Sequence, residues 1–196
     1  MRKFLTERRL NKIINVVKAR QHSLMVLLEN IHDPHNVSAI YRTCDAVGVP
    51  KVGLLYTYEE FPKISKVTSA SARKWVKSKK YKSVDECYNE LQSEGYKIYA
   101  TMLDEKAKSI YSIDWTKKSV IVMGNEHRGV SEEAAEKCDE KVFIPMHGMI
   151  QSLNVSVATA VTLFEAQRQR SEKHMYDISE LNNEAVEAMI DEWAAK

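Results

Sequence analysis

Apolar and polar positions along this chain follow two different periods. Residues 4–20 place Phe4, Leu5, Leu10, Ile13, Ile14 and Val17 at roughly helical spacing, with Arg8, Arg9, Lys12 and Arg20 off the stripe, which predicts an amphipathic helix. SLMVLLEN (23–30) is a short apolar run ending in polar residues, the form of a parallel strand buried on both faces. Asp33 and Pro34 read as the N-cap and first turn of a helix that runs to about Val47 and stops at Gly48. KVGLLY (51–56) predicts a second strand. Residues 57–80 are small, basic and irregular and predict a loop with a short helical piece, with Tyr81 and Lys82 at or beside a strand. Ser83 and Glu86 form a capping box for a helix that ends at Gly95. KIYATM (97–102), SVIVMG (119–124) and KVFIPM (141–146) predict further strands. Ser131 opens a short helix to residue 138, Ser152 a long one to about Lys173, and a last amphipathic helix spans about Ile178 to Ala194.

Buried strands alternating with helices predict an α/β fold with a mostly parallel sheet and helices on both faces. The 196 residues suffice for one such domain with helical arms. The expected division is a basic N-terminal arm (1–20), a core (21–173) and a C-terminal helix (174–196). Ligands of open parallel sheets bind beyond the carboxyl ends of the strands. The segments to examine are therefore 29–42, 101–105, 124–130 and 145–156.

Composition removes several classes. No apolar run reaches the 18 or so residues of a membrane-spanning helix. The N-terminus has a basic start but no apolar core of a signal peptide. Cys44, Cys87 and Cys138 are far apart, form no zinc spacing and fit free thiols in a reducing cytoplasm. The glycines form no dinucleotide fingerprint, GNEHRG lacks the Lys-Ser/Thr of a phosphate loop, and no GxSxG elbow occurs. His32 and His35 have no third ligand nearby in sequence, so no metal site is expected.

The net charge of +2 hides segregation. Residues 1–20 carry seven Lys/Arg and one acid, and residues 62–82 carry eight Lys/Arg and none. Residues 171–196 carry seven acids and two basic residues. Two basic stretches, one containing Trp75 and Tyr81, fit either solvated faces or a polyanion partner.

Three segments carry candidate chemistry. In ENIHDPHNVSAIYRTCDAVGV (29–49), Asn30 and Asn36 suit turns and caps, and Arg42 could pair with Asp45 at i+3 or serve a ligand. In IVMGNEHRGVS (121–131) a strand runs straight into Gly124, Asn125 and Glu126, where a glycine permits close approach and a carboxylate can orient a hydroxyl. IPMHGMIQSLNVSVATAVTLFEA (144–166) sets Ser152, Leu153 and Asn154 before a helix of small apolar residues.

Taken together, NIHDPHNVSAIYR, MGNEHRGVS and IPMHGMIQSLNVSVA resemble motifs 1, 2 and 3, in order, of the SpoU (SPOUT) RNA 2′-O-ribose methyltransferases. The resemblance covers about residues 23–170. It implies a deep C-terminal trefoil knot, a topology that general rules of chain connection would exclude. It also implies S-adenosylmethionine held by Thr101, Gly124, Asn125, Ile144, Met146, Ser152 and Leu153. The family's catalytic arginine falls on Arg42, with Asn36, Glu126 and Asn154 at its supporting positions. It further implies a homodimer with the site at the subunit interface, and RNA contacts at Arg8, Arg9, His35, Arg168 and Arg170. With short arms and no large added RNA-binding domain, the chain looks most like members that methylate guanosine 18 of tRNA. Members acting on another tRNA or rRNA position, and a catalytically silent RNA-binding member, are the alternatives. Arginine poses a chemical question: its guanidinium holds its proton far above neutral pH, so it is a poor base there. It can act as a base whose charged form is disfavoured, or as a cation clamping the ribose-phosphate.

Overall fold

The structure is a computed structural model and describes residues 2–63 and 72–196. Seven strands form one sheet: β1 Leu24–Glu29, β2 Lys51–Leu55, β3 Lys77–Tyr81, β4 Lys97–Thr101, β5 Lys108–Ser109, β6 Ser119–Met123 and β7 Glu140–Phe143. Their order is β3-β2-β1-β6-β4-β7-β5, and every pairing is parallel. The helices are α1 Glu7–Lys18, α2 Pro34–Ala46, α3 Ala72–Trp75, α4 Val84–Ser93, α5 Glu132–Lys137, α6 Val155–Glu172 and α7 Asn183–Ala194.

Period-two alternation in the central strands divides the core. Leu24, Val26 and Leu28 of β1 join α2 (Val37, Ile40, Tyr41, Cys44) and α6 (Leu163, Ala166) on one face. Met25 and Leu27 join α4 (Val84, Cys87, Tyr88, Leu91) and α5 (Ala134, Ala135) on the other. Because both faces are covered, β1 and β6 are buried along their whole lengths. From β1 the chain steps to β2 and β3 on one side, and β6 then enters between β1 and β4 on the other. That change of direction opens a crevice at the carboxyl ends of β1, β6 and β4.

The two arms pack together. Ile13 and Val17 of α1 meet Val186, Ile190 and Trp193 of α7 in a separate apolar cluster, to which Trp75 is added. Arg20, expected on the open polar face of the N-terminal helix, is instead buried. It lies 5.0 Å over the Trp193 ring and pairs with Asp45. Asp45 is thereby engaged away from Arg42.

Several boundaries differ from the sequence expectation. The long helix begins at Val155, not Ser152, because Asn154 caps it by accepting from the Ser156 amide (2.8 Å). The last helix begins at Asn183 under an Asn182 cap, after a turn in which His174 has φ 56°. The 141–146 strand closes at Phe143, so residues 144–154 remain irregular. β3 runs through KSKKY, a stretch expected to be mostly loop, since an edge strand needs neither apolar alternation nor two buried faces. Residues 64–71 of that expected loop lie outside the described residues. The aromatics of the basic stretch are not open for stacking: Trp75 packs on Trp193 at 4.7 Å, and Tyr81 is buried with its hydroxyl donating to Glu90 (3.0 Å).

Candidate active site

The three motif segments converge at the carboxyl edge. Gly124 ends β6, and the chain then closes a tight loop in which Asn125 and Gly129 exchange backbone hydrogen bonds (2.9 and 2.8 Å). A Cβ on Gly124 would lie 2.1 Å from the Gly129 carbonyl carbon, so only glycine fits where the loop folds back. Asn125 holds the loop by accepting from the His127 (2.9 Å) and Arg128 (3.2 Å) amides and donating to the Asn30 carbonyl (2.7 Å).

Glu126 is thereby aimed at the start of α2. It accepts from the His32 amide (3.0 Å), the Asp33 amide (3.1 Å) and the Asn36 side chain (2.9 Å). Burial disfavours its charge, but these hydrogen bonds outweigh that and hold the carboxyl below its usual range. Asn36 passes the link on, its Oδ1 accepting from Asn154 Nδ2 (3.0 Å). A chain of hydrogen bonds, Glu126–Asn36–Asn154, therefore ties the three motifs together. Each member is committed to another protein group, which fits a positioning role better than proton transfer.

A cavity of about 680 Å³ lies against this chain. Thr101, Gly124, Asn125, Ile144, Met146, Ser152 and Leu153 all line it, as do Glu126 and Asn154. Sequence reasoning did not single out Leu103, Ile110 and Val142, which join Val155 and Ala158 of the third motif in its apolar walls. They lie one or two turns or strand steps from the motif residues, and only the strand order brings Ile110 and Val142 there. Thr101 turns its hydroxyl to the Val122 carbonyl (2.7 Å) and thereby fixes the end of β4 against β6.

Arg42 does not line this cavity. It is exposed on α2, on the stripe that also carries His35, and Asn36 faces inward. Arg42 has no ion pair among the described residues. Within one chain, the arginine thus stands apart from the residues that line the cavity.

The expected RNA contacts separate. Arg8, Arg9 and His35 are exposed. Arg168 is half exposed and paired with Glu165 (2.9 Å) and Glu172 (2.6 Å). Arg170 is fully buried, which corrects the expectation that it meets RNA. Its guanidinium donates to the Trp115 (2.9 Å) and Lys117 (3.1 Å) carbonyls, to Gln21 Oε1 (3.0 Å) and to Ser23 Oγ (2.8 Å). It is a clasp between α6 and the strand entries.

A parallel α/β sheet with a cavity walled by the second and third motifs, and the first motif hydrogen-bonded to both, defines a SpoU-type methylase core. A family model described as SpoU rRNA Methylase matches residues 23–164, and the chain belongs to this family. The tRNA (guanosine(18)-2′-O)-methyltransferase of Thermus thermophilus is 44% identical over 97% of this chain and 98% of its own. The enzyme of that name from Aquifex aeolicus is 41% identical over 99% and 92%. The crystal structure of an A. aeolicus TrmH/SpoU tRNA modifying enzyme superposes with a TM-score of 0.89, covering 96% of both chains at 41% identity.

Proposed function

We propose that this protein transfers a methyl group from S-adenosylmethionine to the ribose 2′-hydroxyl of guanosine 18 in tRNA. Full-length similarity to two enzymes so named supports the substrate. The observation that carries the chemistry is the cavity walled by the second and third motifs, to which the first is tied through Asn36. Its apolar walls suit an adenine ring, and its volume suits a nucleoside with an amino-acid tail. The residues fit the cofactor: Thr101, Gly124, Asn125, Ile144, Met146, Ser152 and Leu153 would hold it, within the knotted C-terminal segment that the family resemblance implies. Bound there, S-adenosylmethionine supplies an electrophilic sulfonium methyl.

In this reading the chain's own task is to place the 2′-oxygen in line with that methyl and remove its proton. Glu126 is not the acceptor, because its oxygens already receive three N–H groups and its proton affinity is lowered. Arg42 takes the proton. No described side chain forms an ion pair with Arg42, which leaves its guanidinium open to the ribose.

Arg42 meets a cavity only if a second copy supplies it. Met149, Ile150, Leu153, Val157 and Phe164 form an exposed apolar band along the 149–153 loop and α6, and Arg42 lies on the neighbouring α2. Such a band on a protein of this size marks an interface. The working unit is therefore a cytoplasmic homodimer with each site shared between subunits. The test is calorimetry with S-adenosylmethionine, followed by nucleoside mass spectrometry of tRNA incubated with enzyme and cofactor. One site per subunit and new 2′-O-methylguanosine at position 18 are expected. Binding of NADH or ATP in place of S-adenosylmethionine overturns the reading.

A further inference from the structure

The loop leaving β2 presents one aromatic ring to solvent on a rigid base. Tyr58 is 68% exposed. Its amide, with those of Thr57 and Glu59, donates to Asn30 Oδ1 at 2.9–3.2 Å. Asn30 sits in the left-handed region (φ 50°), and its carbonyl accepts from Asn125, so the Tyr58 loop is fixed to the second motif. The neighbouring aromatics turn inward. Tyr56 packs edge-on to Phe61 (5.2 Å) and donates to the Ile31 carbonyl (3.0 Å).

Two cations share this side of the molecule. The Arg73 guanidinium lies 5.9 Å from the Tyr41 ring and 6.0 Å from the Phe61 ring. Lys80 follows Ser78 by two on β3, hence on the same strand face, and Ser78 bonds the Tyr41 hydroxyl (2.6 Å). Arg73 and Lys80 are exposed and have no ion-pair partner among the described residues, whereas Lys77 and Lys79 on the other face are neutralised by Glu192 and Glu90. Tyr41 adjoins Arg42 in sequence. The ring follows β2, Arg73 reaches Phe61 of the same loop, and Lys80 lies on the strand paired with β2. A fixed, exposed ring and unpaired cations on adjoining elements are the chemistry that binds unpaired RNA, through stacking on a base and contact with flanking phosphates.

We propose that Tyr58 stacks on an unpaired base of the tRNA next to the methylated ribose, while Arg73 and Lys80 hold adjoining phosphates. This rests on the tRNA reading above. The test is steady-state methylation of a full-length tRNA transcript by wild type, Tyr58→Ala, Tyr58→Phe and Lys80→Glu, with S-adenosylmethionine affinity, melting temperature and solution mass measured alongside. Tyr58→Ala should raise KM for tRNA about 5- to 150-fold, the range of a lost base stack, and Tyr58→Phe should restore it. Lys80→Glu should lower the slope of log affinity against log salt by about one. Cofactor affinity, melting and mass should be unchanged. Wild-type turnover with an unchanged Tyr58→Ala KM overturns this proposal alone, as does a Tyr58→Ala protein that falls to monomer mass, which makes the ring a subunit contact. A wild-type enzyme that leaves tRNA unmethylated overturns the functional reading, and this proposal with it.

Discussion

Glu126 spends its oxygens on the protein itself. Three N–H groups from the α2 entry converge on it, and its proton affinity is held down in consequence. A carboxyl with a folded-state pKa below its unfolded value adds stability above the unfolded pKa and loses it as pH falls through the folded one. Glu126→Gln should therefore melt below wild type at pH 7, with the gap closing below about pH 4; thermal melts across that range check it. Its kcat should fall because the motifs lose alignment. Arg42 differs in kind, since no described side chain holds it by an ion pair. Arg42→Ala should lose turnover by at least about 100-fold, the usual scale of a proton-transfer group, with S-adenosylmethionine affinity intact by calorimetry. Arg42→Lys should retain weak activity with its pH–rate curve shifted to lower pH, because lysine gives up its proton more readily on burial. Near wild-type kcat in Arg42→Ala would remove Arg42 from the chemistry.

Among the helices, two kinds of arginine are distinguished by packing alone. On α1, Arg8 and Arg9 stand clear of the apolar stripe that Ile13 and Val17 press against α7. On α6, Arg170 points down into the sheet entries and satisfies five protein acceptors. Reversing Arg8 and Arg9 to Glu should raise KM for tRNA and flatten its salt dependence, with stability nearly unchanged; filter binding at several salt concentrations checks this. Arg170→Ala should do the opposite. It leaves buried acceptors unpaired and should cost about 3–5 kcal/mol in urea unfolding, while the refolded fraction keeps its tRNA KM.

Across the whole molecule, Arg42 is not among the residues that line its own chain's cavity, which makes complementation a test of the shared site. Arg42→Ala has an intact cavity, and Gly124→Val has an intact Arg42 but no room at the loop. Each should be inactive alone. Mixed and allowed to exchange subunits, they should form heterodimers with one working site in two, recovering up to about a quarter of wild-type activity when half the dimers are mixed. No recovery, with exchange verified by mass, would place Arg42 and the cavity in one subunit.

Local rules determined much of this protein. Thr6, Asp33, Ser83, Ser131 and Asn182 cap helices because short polar side chains satisfy free amides. The central strands were legible because burial on both faces leaves an unbroken apolar run. Three motif strings were legible because each follows a strand or precedes a helix at the carboxyl edge, and the seven residues expected to hold a cofactor line one cavity. Other features depended on contacts that spacing does not encode. Polar KSKKY became an edge strand by pairing with β2. Arg20 and Arg170, indistinguishable by composition from surface arginines, were drawn inside by acceptors up to 149 residues away. The Glu126–Asn36–Asn154 relay joins residues 90 and 118 positions apart. Hydrogen bonds of that reach are set by strand order, which places β6 beside β1 although β2, β3, β4 and β5 intervene in the chain.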